Sequence, residues 1–245
     1  MTKIIAHRGY SGTAPENTIY AFQKAIDCGA DAIETDVRKT ADGKLIIMHD
    51  LTLKRLAGDQ YADWDVTKKT YDELKDIDIS TKDFPNIPCQ HIVLLSELLE
   101  LVKKSGIELN IELKGNNLID DGLEYDVAEM VKEYSLEDKI FYSCFDHPML
   151  VNVLKVCPEA KVAPLYGPAM YRAGDYAKSF GAFAVHPQYK PNLLRGDFEA
   201  IRRAGVEINV WTVNDPEDAK KLVNAGVTGL ITNYPDVIAR AVADM

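Results

Sequence analysis

The residues best equipped for chemistry in this chain fall in four short motifs: His7-Arg8, Glu34-x-Asp36, His49-Asp50 and Glu112-x-Lys114. His7 and His49 can trade protons, because an imidazole near its own pKa serves as acid or base at neutral pH. Glu34, Asp36 and Glu112 offer three carboxylates to a hard divalent cation, and an all-oxygen set suits Ca2+ or Mg2+ far better than zinc. Arg8 and Lys114 bring fixed positive charge for an anionic substrate. These are the parts of metal-assisted phosphodiester hydrolysis, which needs one base for the nucleophile and one acid for the departing alkoxide.

Each group also has a plainer reading. The carboxylates, Lys114 and Arg8 form a set of salt bridges in one alternative, although three inward acids on two strands exceed what two cations need. Either histidine alone would read as a satisfied strand-end residue. His91, His147 and His186 lack such partners: His91 and His147 read as loop residues, and His186 as lining a barrel mouth.

Strand alternation decides which way these side chains point. Glu34 and Asp36 share one face, with Ile33, Thr35 and Val37 on the other. Asn110, Glu112 and Lys114 likewise oppose Leu109, Ile111 and Leu113. Buried charges are costly unless paired or metal-bound, so the charged faces belong inside a barrel near its C-terminal mouth.

The elements that must hold them alternate from end to end. Strand patterns cover 3–7, 32–37, 108–113, 139–144, 161–165, 182–186, 207–212 and 229–232. Helical patterns fall at 18–28, 96–105, 123–134, 148–156, 169–180, 197–204, 216–225 and 236–243. Eight βα units in 245 residues predict an α/β (β/α)8 TIM barrel forming one domain over 1–245. A doubly wound open sheet is the alternative, since periodicity does not encode closure. Gly29, Gly106, Gly181, Gly205 and Gly226 follow predicted helices as C-terminal punctuation. Asn17 reads as one N-cap and Asp215, before Pro216, as another.

Asp42-Gly43 between strand-like runs signals a hairpin, with a returning strand over 44–49 that carries His49 back towards Glu34 and Asp36. Residues 51–93 then form a charged, irregular insertion containing Asp59, Asp65, Lys68 and Lys69 and ending near Pro85 and Pro88. Tyr61, Trp64, Tyr71, Leu74, Ile77 and Phe84 need something to pack on, which predicts a small ordered cap over part of the mouth.

Composition excludes some functions. A net charge of −10 argues against a general nucleic-acid binder but leaves room for a small anionic substrate in a locally positive cleft. No run approaches the roughly 18 apolar residues of a spanning helix, and the apolar start is too short for a signal peptide. Cys28, Cys89, Cys144 and Cys157 lack zinc-ligand spacing and read as reduced thiols of a cytoplasmic protein.

The stretches at 4–53 (IIAHRGYSGTAPENTIYAFQKAIDCGADAIETDVRKTADGKLIIMHDLTL), 107–115 (IELNIELKG) and 211–236 (WTVNDPEDAKKLVNAGVTGLITNYPD) resemble the glycerophosphodiester phosphodiesterase family. The resemblance covers almost the whole chain and implies a (β/α)8 barrel with an insertion after the second strand. It also implies His7 and His49 as the acid–base pair and Glu34, Asp36 and Glu112 as metal ligands. Arg8 and Lys114 would hold the phosphate, Arg8 with a forked geometry and Lys114 as a point charge. Trp211 shares the inward parity of Asn209, so its ring can wall a glycerol pocket or simply fill the barrel. The chain departs from the family's common pattern after Asp50, where Lys54-Arg55-Leu56-Ala57 stands in place of the usual Arg-Thr-Thr run, and at His147-Pro148. Both changes fall on the rim.

The resulting expectation is a cytoplasmic enzyme that uses one divalent cation to cleave glycerophosphodiesters to glycerol 3-phosphate and an alcohol. Its partner is a small-molecule substrate, with no nucleic acid and no integral membrane association. A lysophospholipase D is the neighbouring alternative, and a non-catalytic glycerophosphodiester-binding module the distant one. The order of the two histidines stays open, as does the nucleophile: a water or the glycerol 2-hydroxyl.

Overall fold

The computed structural model describes residues 1–80, 82–115, 121–243 and 245. Thr81, which belongs to the expected cap, lies outside the described residues. Eight parallel strands form the barrel: β1 (Lys3–His7), β2 (Ala32–Lys39), β4 (Glu108–Leu113), β5 (Ile140–Cys144), β6 (Lys161–Tyr166), β7 (Ala184–Pro187), β8 (Glu207–Val210) and β9 (Gly229–Thr232). The short β3 (Leu45–Ile47) pairs antiparallel with β2. β1 bonds to β9 on one side and to β2 on the other, so the sheet closes. The TIM barrel is present, and the open-sheet alternative falls.

Register places the chemistry. His7 lies beside Glu34, Asp36 beside Glu112 and Glu112 beside Ser143. Side chains from β1, β2, β4 and β5 therefore converge at one level near the C-terminal ends of the strands, where the connecting loops gather.

The helices that cover the barrel are α1 (Ile19–Asp27), α4 (Leu95–Ser105), α5 (Leu123–Tyr134), α6 (His147–Val156), α7 (Ala173–Ser179), α9 (Phe198–Arg203), α10 (Pro216–Asn224) and α11 (Pro235–Val242). α4 shows why they form. Leu95, Leu98, Leu99 and Val102 recur at helical spacing and are all buried. Glu97 accepts a hydrogen bond from the Leu94 N–H at 2.8 Å at its start. Gly106 ends it in the left-handed conformation, φ 75°. Truncating Leu98 to Ala would cost about 2–5 kcal/mol by the usual scale of cavity formation.

β3 divides two cores. Leu45 and Ile47 join the main core between strands and helices, whereas Ile46 faces a separate cluster with Met48, Leu53, Leu56, Val66, Leu74, Ile77, Ile79 and Ile92. Tyr61, Trp64 and Tyr71 pack against that second cluster, so the insertion is an ordered cap with its own small core. It carries α2 (Lys54–Ala57) and α3 (Tyr71–Leu74).

Several expectations are corrected. Thr18, not Asn17, caps α1, accepting from the Ala21 N–H at 3.2 Å. His147 is the first residue of α6 rather than a loop residue. The seventh barrel strand, β8, ends at Val210, and Trp211 makes only a single bridge to Gln188. Helix α7 starts at Ala173 because Arg172 takes a left-handed conformation, φ 56°. A further short helix, α8 (Tyr189–Arg195), was not expected at all.

Candidate active site

A single cavity at the mouth is lined by His7, Arg8, Glu34, His49, Glu112, Lys114 and Trp211, with Asn110, Ser143 and His186 beside them. The fully buried Asp36 stands behind this lining. Every residue singled out from the sequence is thus brought to one place.

Glu34, Asp36 and Glu112 each present one oxygen such that all three lie within 4.8 Å of one another. Their salt bridges are real but incomplete. Arg8 Nε lies 3.3 Å from Asp36 Oδ2, and Lys114 Nζ lies 3.2 Å from Asp36 Oδ1 and pairs also with Glu112. Among the described residues Glu34 receives only the Arg8 backbone N–H, at 3.0 Å, with His7 Nε2 at 3.9 Å. Electrostatics follow from this sharing. Burial pushes the Asp36 carboxyl up, but Lys114 and Arg8 outweigh it and hold the group well below the carboxylate range. Burial and then the neighbouring anions Asp36 and Glu112 drive Glu34 well above its ordinary value. Glu112 is raised by burial and by Asp36. Arg8 and Lys114 pair with Asp36 and Glu112, and among the described residues no Lys or Arg side chain pairs directly with Glu34, a deficit that a divalent cation would offset. The donor set therefore fits a hard metal ion.

His7 closes β1. Its Nδ1 is 2.6 Å from Asn233 Oδ1, an oxygen that also accepts from Ser11 Oγ at 3.1 Å. With Asn233 Oδ1 as the acceptor, His7 Nδ1 carries the proton and the Nε2 lone pair is free. Burial, followed by the Arg8 charge, pushes this imidazole down to about 4. His49 donates from Nδ1 to Asp50 Oδ1 at 2.6 Å, so its Nε2 is free as well. That bond, with a second from Arg55, holds Asp50 low against the cost of burial.

The turn after β1 is built from two successive left-handed residues, Arg8 (φ 55°) and Gly9 (φ 78°). A Cβ on Gly9 would meet the Ala21 carbonyl carbon at 2.7 Å, so only glycine fits there. Arg8 is held through its N–H to Glu34 and its carbonyl, which accepts from Asn17 N–H at 3.0 Å. On the far wall, Trp211 donates from Nε1 to the His186 carbonyl at 2.7 Å and meets Phe145 edge to face at 5.7 Å between centroids.

Sequence reasoning missed several contributors. Arg38 is buried and donates twice to the His49 carbonyl, at 3.0 and 2.6 Å, and once to the Lys114 carbonyl at 3.2 Å. Its parity with Glu34 and Asp36 was the available signal. Asn17 spends its side chain on the site, donating to Asp36 Oδ2 at 2.8 Å and accepting from Thr35 at 2.9 Å. Glu16 and Arg55 form ion pairs at the rim, and Asn233, just past β9, lies in the family-like stretch 211–236 without having been given a role.

The sequence profile of the Glycerophosphoryl diester phosphodiesterase family matches residues 7–237. The chain belongs to that family. A glycerophosphodiester phosphodiesterase from Bacillus altitudinis is 36% identical over 238 residues, 96% of each chain. One from Caldanaerobacter subterraneus is 34% identical over 241 residues, 98% of each. Among solved structures, an Oleispira antarctica phosphodiesterase in complex with the product sn-glycerol-3-phosphate superposes with a TM-score of 0.85 at 27% identity, covering 100% of this chain and 98% of that one. A glycerophosphodiester phosphodiesterase from Parabacteroides distasonis gives 0.83 at 29% identity, covering 98% and 95%. Glycerophosphodiester phosphodiesterases thus share both sequence and barrel with this chain. Among the described residues no helix is long and apolar enough to cross a membrane.

Proposed function

We propose that this chain hydrolyses glycerophosphodiesters to glycerol 3-phosphate and an alcohol, with one divalent cation, Ca2+ or Mg2+, held by Glu34, Asp36 and Glu112. The observation that carries the reading is that two imidazoles with free Nε2 atoms line the same cavity as the acidic triad and two cations. When bound, the ion would polarise phosphoryl oxygens and offset developing negative charge.

In this reading Arg8 and Lys114 orient the phosphate. Lys114 stays charged, because Asp36 and Glu112 outweigh the effect of its burial. His7 takes the proton of the nucleophile, a water or the glycerol 2-hydroxyl, on Nε2, while its Nδ1–H stays anchored on Asn233. His49, in the state protonated on both nitrogens, delivers the Nε2 proton to the leaving alkoxide, and Asp50 holds the ring through Nδ1–H. Trp211 walls the glycerol side of the cavity. A non-catalytic binder would have no use for two tautomer-fixed histidines facing one site. The four cysteines are free thiols, which supports the cytoplasm as the proposed location.

The test is turnover of glycerophosphocholine with and without chelator. The expected result is release of glycerol 3-phosphate and choline that stops on chelation and returns with Ca2+ or Mg2+. Binding without turnover would make the chain a binding module.

A further inference from the structure

The ion pairs around His49 and Arg8 continue into the cap through one side chain. Arg55, on α2, donates from Nε to Asp50 Oδ2 at 2.7 Å. Its other two nitrogens reach Glu16, Nη1 to Oε2 at 2.9 Å and Nη2 to Oε1 at 2.6 Å. Asp50 in turn accepts from His49 at 2.6 Å, and Glu16 accepts from Arg8 Nη1 at 2.9 Å. The signs alternate without a break from Asp36 through Arg8, Glu16, Arg55 and Asp50 to His49. Each carboxylate is shared between a cavity residue and the cap.

Arg55 is well placed to hold both. Leu53 and Leu56 on either side of it are buried in the cap core, and its carbonyl accepts from Lys82 Nζ at 2.6 Å. A planar fork offers separate N–H groups in fixed directions to the two carboxylates, which the single nitrogen of a lysine does not. The guanidinium is 45% exposed, so its worth lies in orientation rather than in net stability.

We propose that Arg55 is a positioning residue that sets His49 and Arg8 in register with each other, so that docking of the cap and alignment of the proton donor with the phosphate-binding cation are one event. The proposal rests on the functional reading above. Asp50 carries the influence to His49 and therefore to kcat. Glu16 carries it to Arg8 and therefore to substrate binding.

The experiment compares Arg55→Met, Arg55→Lys, Asp50→Asn and Glu16→Gln with the wild type, with turnover of glycerophosphocholine and the imidazole 15N spectrum as readouts. Arg55→Met is expected to lose about 10- to 100-fold in kcat/KM, divided between kcat and KM. Its Tm should move by no more than about 2–4 °C, as for a half-exposed ion pair. Asp50→Asn should reproduce the kcat part, Glu16→Gln the KM part, and Arg55→Lys should restore one of them. Adding Arg55→Met to either carboxylate variant should cost less than the sum. In the spectrum the fixed Nδ1–H form of His49 should give way to a tautomer mixture in Arg55→Met, while His147, bonded to Tyr176, serves as an unchanged control. Wild-type kcat and KM in a folded Arg55→Met protein would overturn the proposal, and so would an unchanged His49 signal. A wild type that turns over no glycerophosphodiester would instead overturn the functional reading, and the His49 signal would still decide the role of Arg55.

Discussion

His7 and His49 are anchored by different groups, a neutral amide and a carboxylate, and that difference assigns them different work. Asp50 anchors His49 through Nδ1, which suits a ring that hands a proton over from Nε2, whereas burial and then the Arg8 charge keep His7 neutral and free to accept one. His49→Ala should therefore lose about 10²–10⁴-fold on glycerophosphocholine but recover much of that on a nitrophenyl ester of glycerol phosphate, whose leaving group needs little protonation. His7→Ala should be impaired on both substrates, and equal losses by both variants on both substrates would reject the division. His186 gives a second prediction. Burial pushes its imidazole down to about 3, and it is neutral in the fold but charged in the unfolded chain below pH 6.5. The unfolded state then binds the extra proton, so this contribution is fully present above pH 6.5 and is lost as pH falls towards 3. Denaturant unfolding between pH 6 and 4 should show a slope smaller by up to about 1.4 kcal/mol per pH unit in His186→Leu than in the wild type; identical slopes would mean His186 is not held neutral. The strand-borne acids and histidines were legible because alternation alone decides their facing. Asn17 was misread because its side chain has a choice that local sequence does not reveal: it serves Asp36 and Thr35, and Thr18 takes the cap.

The cap illustrates how an element can be ordered without belonging to the main core. Its apolar cluster is separate, and the alternating residues of β3 divide between the two. Leu74, fully buried on α3, is thus a test of the cap alone. Leu74→Ala should remove about 2–5 kcal/mol of packing, and hydrogen exchange should show faster opening across residues 53–79 with α4 and the barrel strands unchanged. Uniform loss of protection would show that cap and barrel unfold together. Because the cap reaches the cavity residues His49 and Arg8 through the bonds of Arg55 to Asp50 and Glu16, replacing residues 51–93 by a short linker is also expected to alter relative rates among glycerophosphodiesters; a folded variant with identical preferences would remove the cap from substrate choice. The hairpin and the cap's existence were readable from Asp42-Gly43 and from aromatics that need burial. Helix α8 was not, since Pro191 and Gly196 sit within or beside it and read as loop signals. A proline in a first turn is tolerated because the missing N–H has no intrahelical partner there.

Eight βα units could be counted along the chain, but closure is a property of β1 bonding on both sides, which no local pattern encodes. Closure matters because it sets His7 of β1 beside Glu34 of β2, next to acids that β2 and β4 already share as sheet neighbours, and the cost of crowding those acids belongs to the folded state as a whole. Glu34 is the acid with the least cationic help, so in a chelated sample Glu34→Gln should be as stable as the wild type or more so. A cation that binds only the folded barrel reverses this order. At a concentration of 100 times its Kd such an ion adds about 2.7 kcal/mol, which for a chain of this size corresponds to a rise in Tm of about 5–10 °C. Adding Ca2+ or Mg2+ to chelated wild type should produce that rise, and Glu34→Gln, Asp36→Asn and Glu112→Gln should lose most of it. The two curves for wild type and Glu34→Gln should therefore cross as the ion is titrated. Absence of any ion-dependent shift in the wild type would refute the metal site, and a shift retained in all three variants would place the ion elsewhere in the molecule.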